Sequence, residues 1–288
     1  LFDTPGKITA LRSLGKDAVI YKETSIYIGQ WVAGDIIWSW SLISAEIGAV
    51  SQESVVSIET AHFFIGINDI WVFDGSRPAS IGEGIKKWFF SDLNMTYRGN
   101  IIGAHDKSKS LIYFYYPNQS SSGTCNSCII FNYKTKKWGK ANRSIEAAVE
   151  WISGGYTYTS LAAAFSTYND LPEVSYDAPF WRGSSINVSV FDDAHTLKTL
   201  SGESATSSLT GNWIGDGLTY LTVQRVTPQF INDPTSATMT NWYRNTYGSA
   251  ETTGQTSNMS RGRFSLYRRA KFHKFKLSFI GDHEITGY

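Results

Sequence analysis

Six aspartates stand at breaks between apolar runs, where carboxylates could do acid–base chemistry. They are Asp69, Asp74, Asp92, Asp192, Asp193 and Asp216. A glycosidase needs two convergent carboxyl groups that flank the scissile bond. Aspartate is equally common in turns, where it accepts backbone N–H hydrogen bonds. No spacing marks one pair as convergent, so we interpret these residues as turn formers and predict no catalytic residue.

Two short segments combine residue types that bind metals. They are Asp192, Asp193 and His195 in FDDAHT, and Asp282, His283 and Glu284 in GDHE. Neighbouring residues of a strand point to opposite faces, so Asp282 and Glu284 could chelate together while His283 could not. We interpret both segments as polar turns and predict no metal.

The only cysteines, Cys125 and Cys128, form one CxxC motif. One such motif supplies half the ligands of a closed zinc site. It also lacks the βαβ frame of thioredoxin-like motifs. We interpret the pair as structural, with a local disulfide or a redox role as alternatives, and predict no cofactor.

The strongest charge run is SRGRFSLYRRAKFHKFK, in which aromatic residues alternate with basic ones. Its basic residues are Arg261, Arg263, Arg268, Arg269, Lys271, Lys274 and Lys276. Such a run can contact DNA phosphates without regard to sequence. The alternative is a solvated strand face, or a subunit interface that pairs with carboxylates. We therefore predict a possible DNA or partner contact at these residues.

The bulk composition restricts the class of protein. The chain has 288 residues, a formal net charge of +1 and 15% aromatic residues. The small net charge provides no global attraction to nucleic acid or membrane. The longest apolar-rich stretch, DIIWSWSLISAEIGAV, is too short to span a bilayer and contains Asp35 and Glu46. We expect a soluble chain without a membrane-spanning segment.

A repeated pattern organises the first half of the chain. AVIYKETSIYIGQW, HFFIGINDIWVFDG and SLIYFYY…CIIFNYKTKKW each read as strand, turn and aromatic strand. They recur about every 45 residues, which is typical of propeller blades. The sequence therefore predicts an all-β fold of antiparallel, propeller-like blades, incomplete or irregular, with very little helix. Residues 1–150 would hold three repeats, near 8–45, 50–95 and 98–145.

Two segments between the repeats allow a helix. Residues 83–94 place Ile85, Trp88, Phe89 and Leu93 on one helical face. Residues 144–152 fit a helix or a strand, and we favour the strand because Gly154 and Gly155 follow.

Residues 151–288 read as further β blades or a C-terminal β segment. A polar stretch near 232–262 predicts a projecting loop or hairpin with a mobile tip. In the last long strand, Phe275 should face the core and Lys274 should face away. Phe272 falls on the lysine face, which predicts a bulge near His273.

The order of these patterns resembles a known family. IGAVSQESVVSIETAHFFIGINDIWVFDGSRPASIGEGI and the later PFWRGSSINVSVFDDAHTLKTLSG, RVTPQF and GRFSLYRRAKFHKFKLSFIG are similar to tail hub or nozzle proteins of short-tailed bacteriophages, of the type that stabilises packaged DNA. The resemblance covers most of the chain between Val19 and Gly281. We expect that the N-terminal part of such proteins has no counterpart in this sequence.

The resemblance implies a virion structural protein, made in the host cytoplasm, and no enzyme. Such proteins form rings, typically hexamers, next to other tail or adaptor proteins, and genomic DNA leaves through the central channel. The loops at 118–127 and 232–262 would be candidates for a gate or for docking. The alternatives are a receptor- or carbohydrate-binding tail module, with exposed Trp and Tyr as stacking platforms, and a propeller glycosidase.

Overall fold

The computed structural model describes residues 3–32, 37–152, 158–167, 170–171, 186–200, 205–281 and 283–287. Its contacts divide the chain into two compact units, Leu1–Leu200 and Ser201–Tyr288. The sequence placed this boundary at residue 150. The difference arises because the strands that follow residue 146 pair with one another and pack on the preceding sheet.

The first unit contains four small antiparallel sheets, which we call blades 1 to 4 in chain order. Blade 1 comprises β1 (Ile8–Leu14), β2 (Asp17–Lys22), β3 (Ile26–Trp31) and β4 (Trp38–Ser44). Blade 2 comprises β5 (Val55–Ser57), β6 (His62–Ile65), β7 (Ile70–Phe73) and β8 (Ala79–Ser80). Blade 3 comprises β9 (Ile102–Asp106), β10 (Leu111–Tyr116), β11 (Ser127–Asn132) and β12 (Lys137–Ala141). Blade 4 comprises β13 (Ala147–Ile152), β14 (Ile186–Phe191) and β15 (Leu197–Thr199). Within each blade, strands that are consecutive in sequence are neighbours in the sheet, so the all-β, blade-like fold is confirmed.

The blades pack face to face because successive side chains of a strand point to opposite faces. On β10, Phe114 joins a core with residues of blade 2, whereas Tyr115 joins a core with Val190 of blade 4. On β6, Phe64 likewise packs against blade 1, whereas Phe63 packs against blade 3. Each inner blade therefore buries both of its faces, as radial packing of small sheets requires.

The first strands of the blades lie next to one another. β1 contacts β5, β5 contacts β9, and β9 contacts β13. This is the arrangement of a propeller, in which the first strand of each blade lies nearest to a common axis.

Helix is limited to short segments in the described part of the chain. They are α1 (Lys86–Asp92), a 3₁₀ helix (Met95–Asn100) and α2 (Tyr158–Ala164). The helix predicted over 83–94 exists, but it is shorter. Phe89 and Leu93 are buried in the core between blades 2 and 3, whereas Trp88 is exposed under the Lys140 ammonium group, 4.5 Å from the ring. The prediction that Trp88 shares the buried face was wrong.

The second unit is also antiparallel. Its strands are β16 (Ser207–Thr210), β17 (Leu221–Val226), β18 (Gln229–Asn232), β19 (Ser236–Arg244), β20 (Thr252–Asn258), β21 (Phe264–Ala270), β22 (Phe272–Ile280) and β23 (Glu284–Gly287). They form one sheet of order β16-β22-β19-β20 and the pairs β17-β21 and β18-β23.

The long strand β22 confirms the predicted alternation, with Phe275 buried and Lys274 on the other face. The predicted bulge near His273 is wrong, because β22 pairs with β19 in unbroken register from Ile280 to Phe272. Phe272 stays on the lysine face and is buried there beneath Arg244 and Tyr247.

The segment 232–262 forms the hairpin that was one of the two predicted forms, with β19 paired to β20. It is part of the main sheet and not a free arm. Its first strand, β19, pairs with β22 over its whole length, and Met239 within it is fully buried. The loop 118–127 is likewise fixed by hydrogen bonds, including those from the Asn94 and Asn100 side-chain amides to the carbonyls of Ser121 and Gly123.

A buried histidine joins blades 1 and 2. His62 Nε2 donates to the Ser13 carbonyl at 2.9 Å, so its Nδ1 accepts from the Tyr21 hydroxyl at 2.8 Å. Burial lowers the pKa of His62, and the nearby Arg12 charge lowers it further, against the effect of the Ser13 hydrogen bond. The folded chain therefore holds this imidazole neutral.

We expect stability to fall when the solution is acidified. Below about pH 6.5 the unfolded His62 takes up a proton and the folded one does not, so the free energy of unfolding decreases by up to about 1.4 kcal/mol per pH unit until the lowered folded pKa is reached. Urea unfolding at pH 7.5, 6.5 and 5.5 measures this. The His62→Asn variant should show a shallower dependence than the wild type. An unchanged slope in His62→Asn would contradict the assignment.

Candidate functional site

Three of the six candidate carboxylates are turn formers, as predicted. Asp74 accepts from the Ser76 backbone N–H at 3.0 Å and from its hydroxyl at 2.6 Å. Asp192 and Asp216 cap turns in the same way, each accepting two backbone N–H groups from the following residues. These hydrogen bonds are the main cause of the lowered pKa of Asp74 and Asp216, whereas the Lys198 ammonium group lowers the pKa of Asp192 most and the Thr196 N–H comes second. A carboxylate held ionised in this way is a poor general acid.

Asp69 and Asp92 have other structural roles. The buried Asp69 carboxylate accepts from the Ile70 N–H at 2.8 Å, the Ser80 hydroxyl at 2.9 Å and the Lys86 ammonium group at 2.7 Å. It therefore ties the β6–β7 turn to β8 and to α1. Asp92 ends α1 and accepts from the Tyr116 hydroxyl at 2.7 Å, so it is not a turn former. Asp193 is exposed.

We expect Asp69→Ala to lower the free energy of unfolding by about 1–3 kcal/mol, because it leaves the buried Ile70 N–H without its side-chain acceptor and removes the acceptor of the Ser80 hydroxyl and the Lys86 ammonium group. Chemical denaturation followed by tryptophan fluorescence measures the loss. Asp193→Ala, at an exposed turn, serves as the control and should change stability by less than about 0.5 kcal/mol. Equal effects of the two substitutions would contradict the role assigned to Asp69.

The structure does not assemble the metal-binding candidates. His195 Nδ1 lies 2.6 Å from Glu146, and Asp192 contacts Lys198. His283 contacts the Ser207 hydroxyl at 3.1 Å. Asp282 lies outside the described residues. Within the described ranges, no group of three or more His, Cys, Asp or Glu side chains could hold a metal ion.

Both cysteines are free and buried. Cys125 and Cys128 pack with Tyr115 between blades 3 and 4. Burial raises the pKa of Cys125 to about 12 and also raises the pKa of Cys128. Because the thiolate is the reactive form, these thiols are inert core residues. The alternative of a local disulfide is wrong for this structure.

The basic stretch is distributed over several surfaces. Lys274 and Lys276 lie on the outer face of β22. The Lys274 ammonium group lies 5.6 Å from the Trp213 ring centroid and 5.9 Å from that of Trp242, and it forms an ion pair of 3.3 Å with Glu251. One carboxylate therefore offsets part of this charge.

The basic residues of β21 point in two directions. Arg268 follows the inward-facing alternation of β21 and stacks on Tyr243 at 4.7 Å. Arg269 and Lys271 lie over Tyr220, at 5.1 and 5.6 Å. Arg268 is therefore a packing residue, whereas the exposed Arg269 and the half-buried Lys271 form a small cationic group beside Tyr220.

Arg261 and Arg263 belong to the tight turn between β20 and β21. Arg261 has a φ of +53°, and Arg263 forms an isolated bridge with Ser260. Both side chains are exposed. The basic residues of the run are therefore distributed over three places, and Arg261, Arg263 and Arg269 are the exposed ones.

Sequence reasoning missed Arg244, whose guanidinium lies 4.3 Å from Trp213 and 5.2 Å from both Tyr247 and Phe272. Together with Lys274 it forms a cation–aromatic cluster on the outer face of the second unit's main sheet. The period of two along a strand could have revealed this cluster. Trp242 and Arg244 lie on one face of β19, opposite Lys274 and Phe272 of β22.

The first strands of all four blades line one cavity of about 190 Å³. Arg12 of β1, His105 of β9 and Glu150 of β13 contribute its charged or titratable groups. Burial lowers the pKa of His105, and the Glu150 carboxylate opposes this effect. Sequence reasoning missed these residues because they converge only when the blades are arranged around an axis.

A second cavity, of about 420 Å³, shares His105 and Glu150 and adds Glu59, Lys107 and Tyr133. Glu59 is paired with Lys107 at 2.9 Å, and this hydrogen bond lowers the pKa of the Glu59 carboxyl. An acid catalyst needs the opposite shift. Glu59 is therefore a poor candidate for a general acid.

No helix among the described residues is long and apolar enough to cross a membrane.

The fold and these sites define a propeller-like β scaffold. No family model matches this sequence, and no curated protein matches it. Matching solved structures include an exo-β-1,3-galactanase of Phanerochaete chrysosporium with galactose, at 8% identity, 98% coverage of this chain, 95% of that chain and a TM-score of 0.19. A variant of the same enzyme with β-1,3-galactotriose matches with a TM-score of 0.18. A likeness at this level carries no argument about fold or activity.

Proposed function

We propose that this chain is a structural subunit of the tail of a short-tailed bacteriophage. It would form part of a ring-shaped nozzle or hub around the DNA exit channel, beside other tail proteins, and act by mechanical support without catalysis. The observation that carries the proposal is the face-to-face packing of four blades through continuous apolar cores. Such packing makes a rigid structure, and it agrees with the resemblance of the sequence to tail hub or nozzle proteins.

The polar groups of the first unit support the same proposal. Asp69, Asp74 and Asp92 are used in hydrogen bonds or ion pairs within the wall. In the second unit, the exposed Arg269, the half-buried Lys271 and the partly paired Lys274 supply modest positive charge. DNA could slide past such a surface without sequence-specific contacts.

The test is assembly and location. Mass photometry and negative-stain microscopy of the purified chain should show closed rings, with six subunits as the expected number. Labelled antibodies should mark the tail axis of intact particles. A chain that stays monomeric at high concentration, or a label confined to peripheral fibres, would contradict the proposal.

One observation favours a second candidate, a carbohydrate-binding tail module. Trp38 and Trp40 are stacked, with ring centroids 6.0 Å apart, and both are partly exposed on blade 1. Exposed indole rings can stack on sugar rings. A glycan array distinguishes the candidates, because the structural role predicts no binding and the module predicts hits that Trp40→Ala abolishes.

A further inference from the structure

The cation–aromatic cluster of the second unit contains a cation without a counter-ion. The Arg244 guanidinium lies against three rings, those of Trp213, Tyr247 and Phe272. No carboxylate among the described residues forms an ion pair with it, and its buried Nε has no hydrogen-bond partner there. Its two Nη groups also form no hydrogen bond with those residues, and they reach solvent. Because a guanidinium that stacks on rings keeps its N–H edge free, Arg244 presents an unused pair of donors at the surface.

A second cation lies against the same indole ring, but it is already paired. The Trp213 ring centroid is 4.3 Å from the Arg244 guanidinium and 5.6 Å from the Lys274 ammonium group. The Glu251 carboxylate, which is 44% exposed, pairs with Lys274 at 3.3 Å. Two cations and one carboxylate leave one net positive charge. The cluster can therefore accept one negative charge, and it offers a carboxylate acceptor beside that charge.

An exposed aromatic ring borders the free edge of this guanidinium. Tyr247 lies in the turn between β19 and β20, and 83% of it is exposed. Its ring centroid is 5.2 Å from the Arg244 guanidinium and 6.2 Å from that of Phe272, so the ring is held at the cluster by two contacts. A ring of this kind can stack on the apolar face of a sugar.

We propose that this cluster binds an acidic sugar, a uronic or sialic acid within a glycan. The carboxylate of the sugar accepts two hydrogen bonds from the Nη groups of Arg244. One face of the sugar ring stacks on Tyr247, and a sugar hydroxyl donates to the Glu251 carboxylate. The site uses no residue of blade 1, so it is separate from the stacked Trp38 and Trp40, and it does not depend on ring assembly.

The charges of the cluster favour an acidic sugar over a nucleic acid. A nucleic acid strand has a negative charge on every phosphate and gains its affinity from a row of cations. Here only Arg244 is unpaired, and the Glu251 carboxylate would repel a second phosphate. An acidic sugar needs one guanidinium for its carboxylate. Its hydroxyl groups also give Glu251 hydrogen bonds that a phosphodiester cannot supply.

Isothermal titration calorimetry at low ionic strength tests the proposal with two soluble probes, tetragalacturonic acid and sialyllactose. At least one of these acids should bind, and it should bind about tenfold or more tightly than its neutral counterpart, which lacks the charged hydrogen bonds. The neutral counterparts are methyl-esterified tetragalacturonate and lactose. Binding of neither acid, equal binding of the neutral counterpart, or tighter binding of a single-stranded oligothymidylate would overturn the inference.

Two variants locate the binding. Arg244→Gln should weaken it about tenfold or more, and Tyr247→Ala about threefold or more. The matched controls are Arg269→Gln, since Arg269 lies over the Tyr220 ring at 5.1 Å, and Tyr267→Ala, since Tyr267 is 75% exposed on β21. Both controls should bind within about twofold of the wild type. Circular dichroism verifies folding, and Tyr247→Ala decides the matter if Arg244→Gln does not fold.

The result is distinguishable from both candidate functions. Binding of the acid should persist in Trp40→Ala, because blade 1 does not contribute to this site. Binding that Trp40→Ala abolishes and that Tyr247→Ala leaves unchanged would overturn the inference and assign the sugar to blade 1. Neither outcome changes ring formation, so the proposed structural role is tested separately.

Discussion

Replacing Gly48 by alanine is expected to lower the free energy of unfolding by about 3 kcal/mol or more. A Cβ on Gly48 would lie 2.1 Å from the Lys22 carbonyl oxygen and 2.5 Å from backbone atoms of Glu23. These atoms belong to the β2–β3 turn, so no side-chain rotation can relieve the clash. The next residue, Ala49, is fully buried and donates its N–H to the Lys22 carbonyl at 3.1 Å.

Guanidinium chloride unfolding of the wild type and Gly48→Ala measures this effect. Gly139→Ala is the matched control, because its Cβ meets no atom within 4 Å and its backbone lies outside the left-handed region. It should change stability by less than about 0.5 kcal/mol. A Gly48→Ala variant as stable as the control would mean that the connection between blades 1 and 2 does not pass this closely.

Much of the blade architecture could be predicted because each signal is local. The strand–turn–strand pattern of each repeat is contained within a few consecutive residues, and the structure places β2 and β3, β6 and β7, and β10 and β11 accordingly. Residues 144–152 were ambiguous by local pattern, and β13 confirms the strand.

The wrong predictions concern contacts that a segment makes only after the chain has folded. Trp88 fits the apolar helical face by spacing, yet Lys140 of blade 3 covers it from the solvent side. Phe272 breaks the apolar alternation without a bulge, because Arg244 and Tyr247 cover it on the lysine face. Lys140 is distant in sequence from Trp88, and Arg244 and Tyr247 are distant in sequence from Phe272.

The candidate site was the least predictable part. A run of basic residues is one feature in sequence, but the strand period sends Arg268 inward and Lys274 to the opposite side of the unit's core. Conversely, Arg12, His105 and Glu150 are far apart in sequence and line one cavity because three first strands surround an axis.

Replacing Phe64 by alanine should lower the free energy of unfolding by about 3–5 kcal/mol, the usual cost of removing a fully buried phenylalanine ring. Phe64 is fully buried on β6, and its ring centroid lies 4.9 Å from that of Tyr21 in blade 1. Denaturant unfolding measures the loss. Leu11→Ala in blade 1, where the side chain is 54% exposed, should cost about 1 kcal/mol or less.

The Phe64→Ala variant also tests whether the blades unfold as one cooperative unit. Because blade 2 packs against blade 1 with one face and against blade 3 with the other, a cavity at Phe64 should destabilise both neighbours. Hydrogen exchange under native conditions should therefore accelerate in β2 and in β10 by similar factors, since both strands would open with the same cooperative unit. Acceleration confined to β6 and β7 would show that the blades open independently, and a subunit built that way could not resist the load that the proposed function places on it.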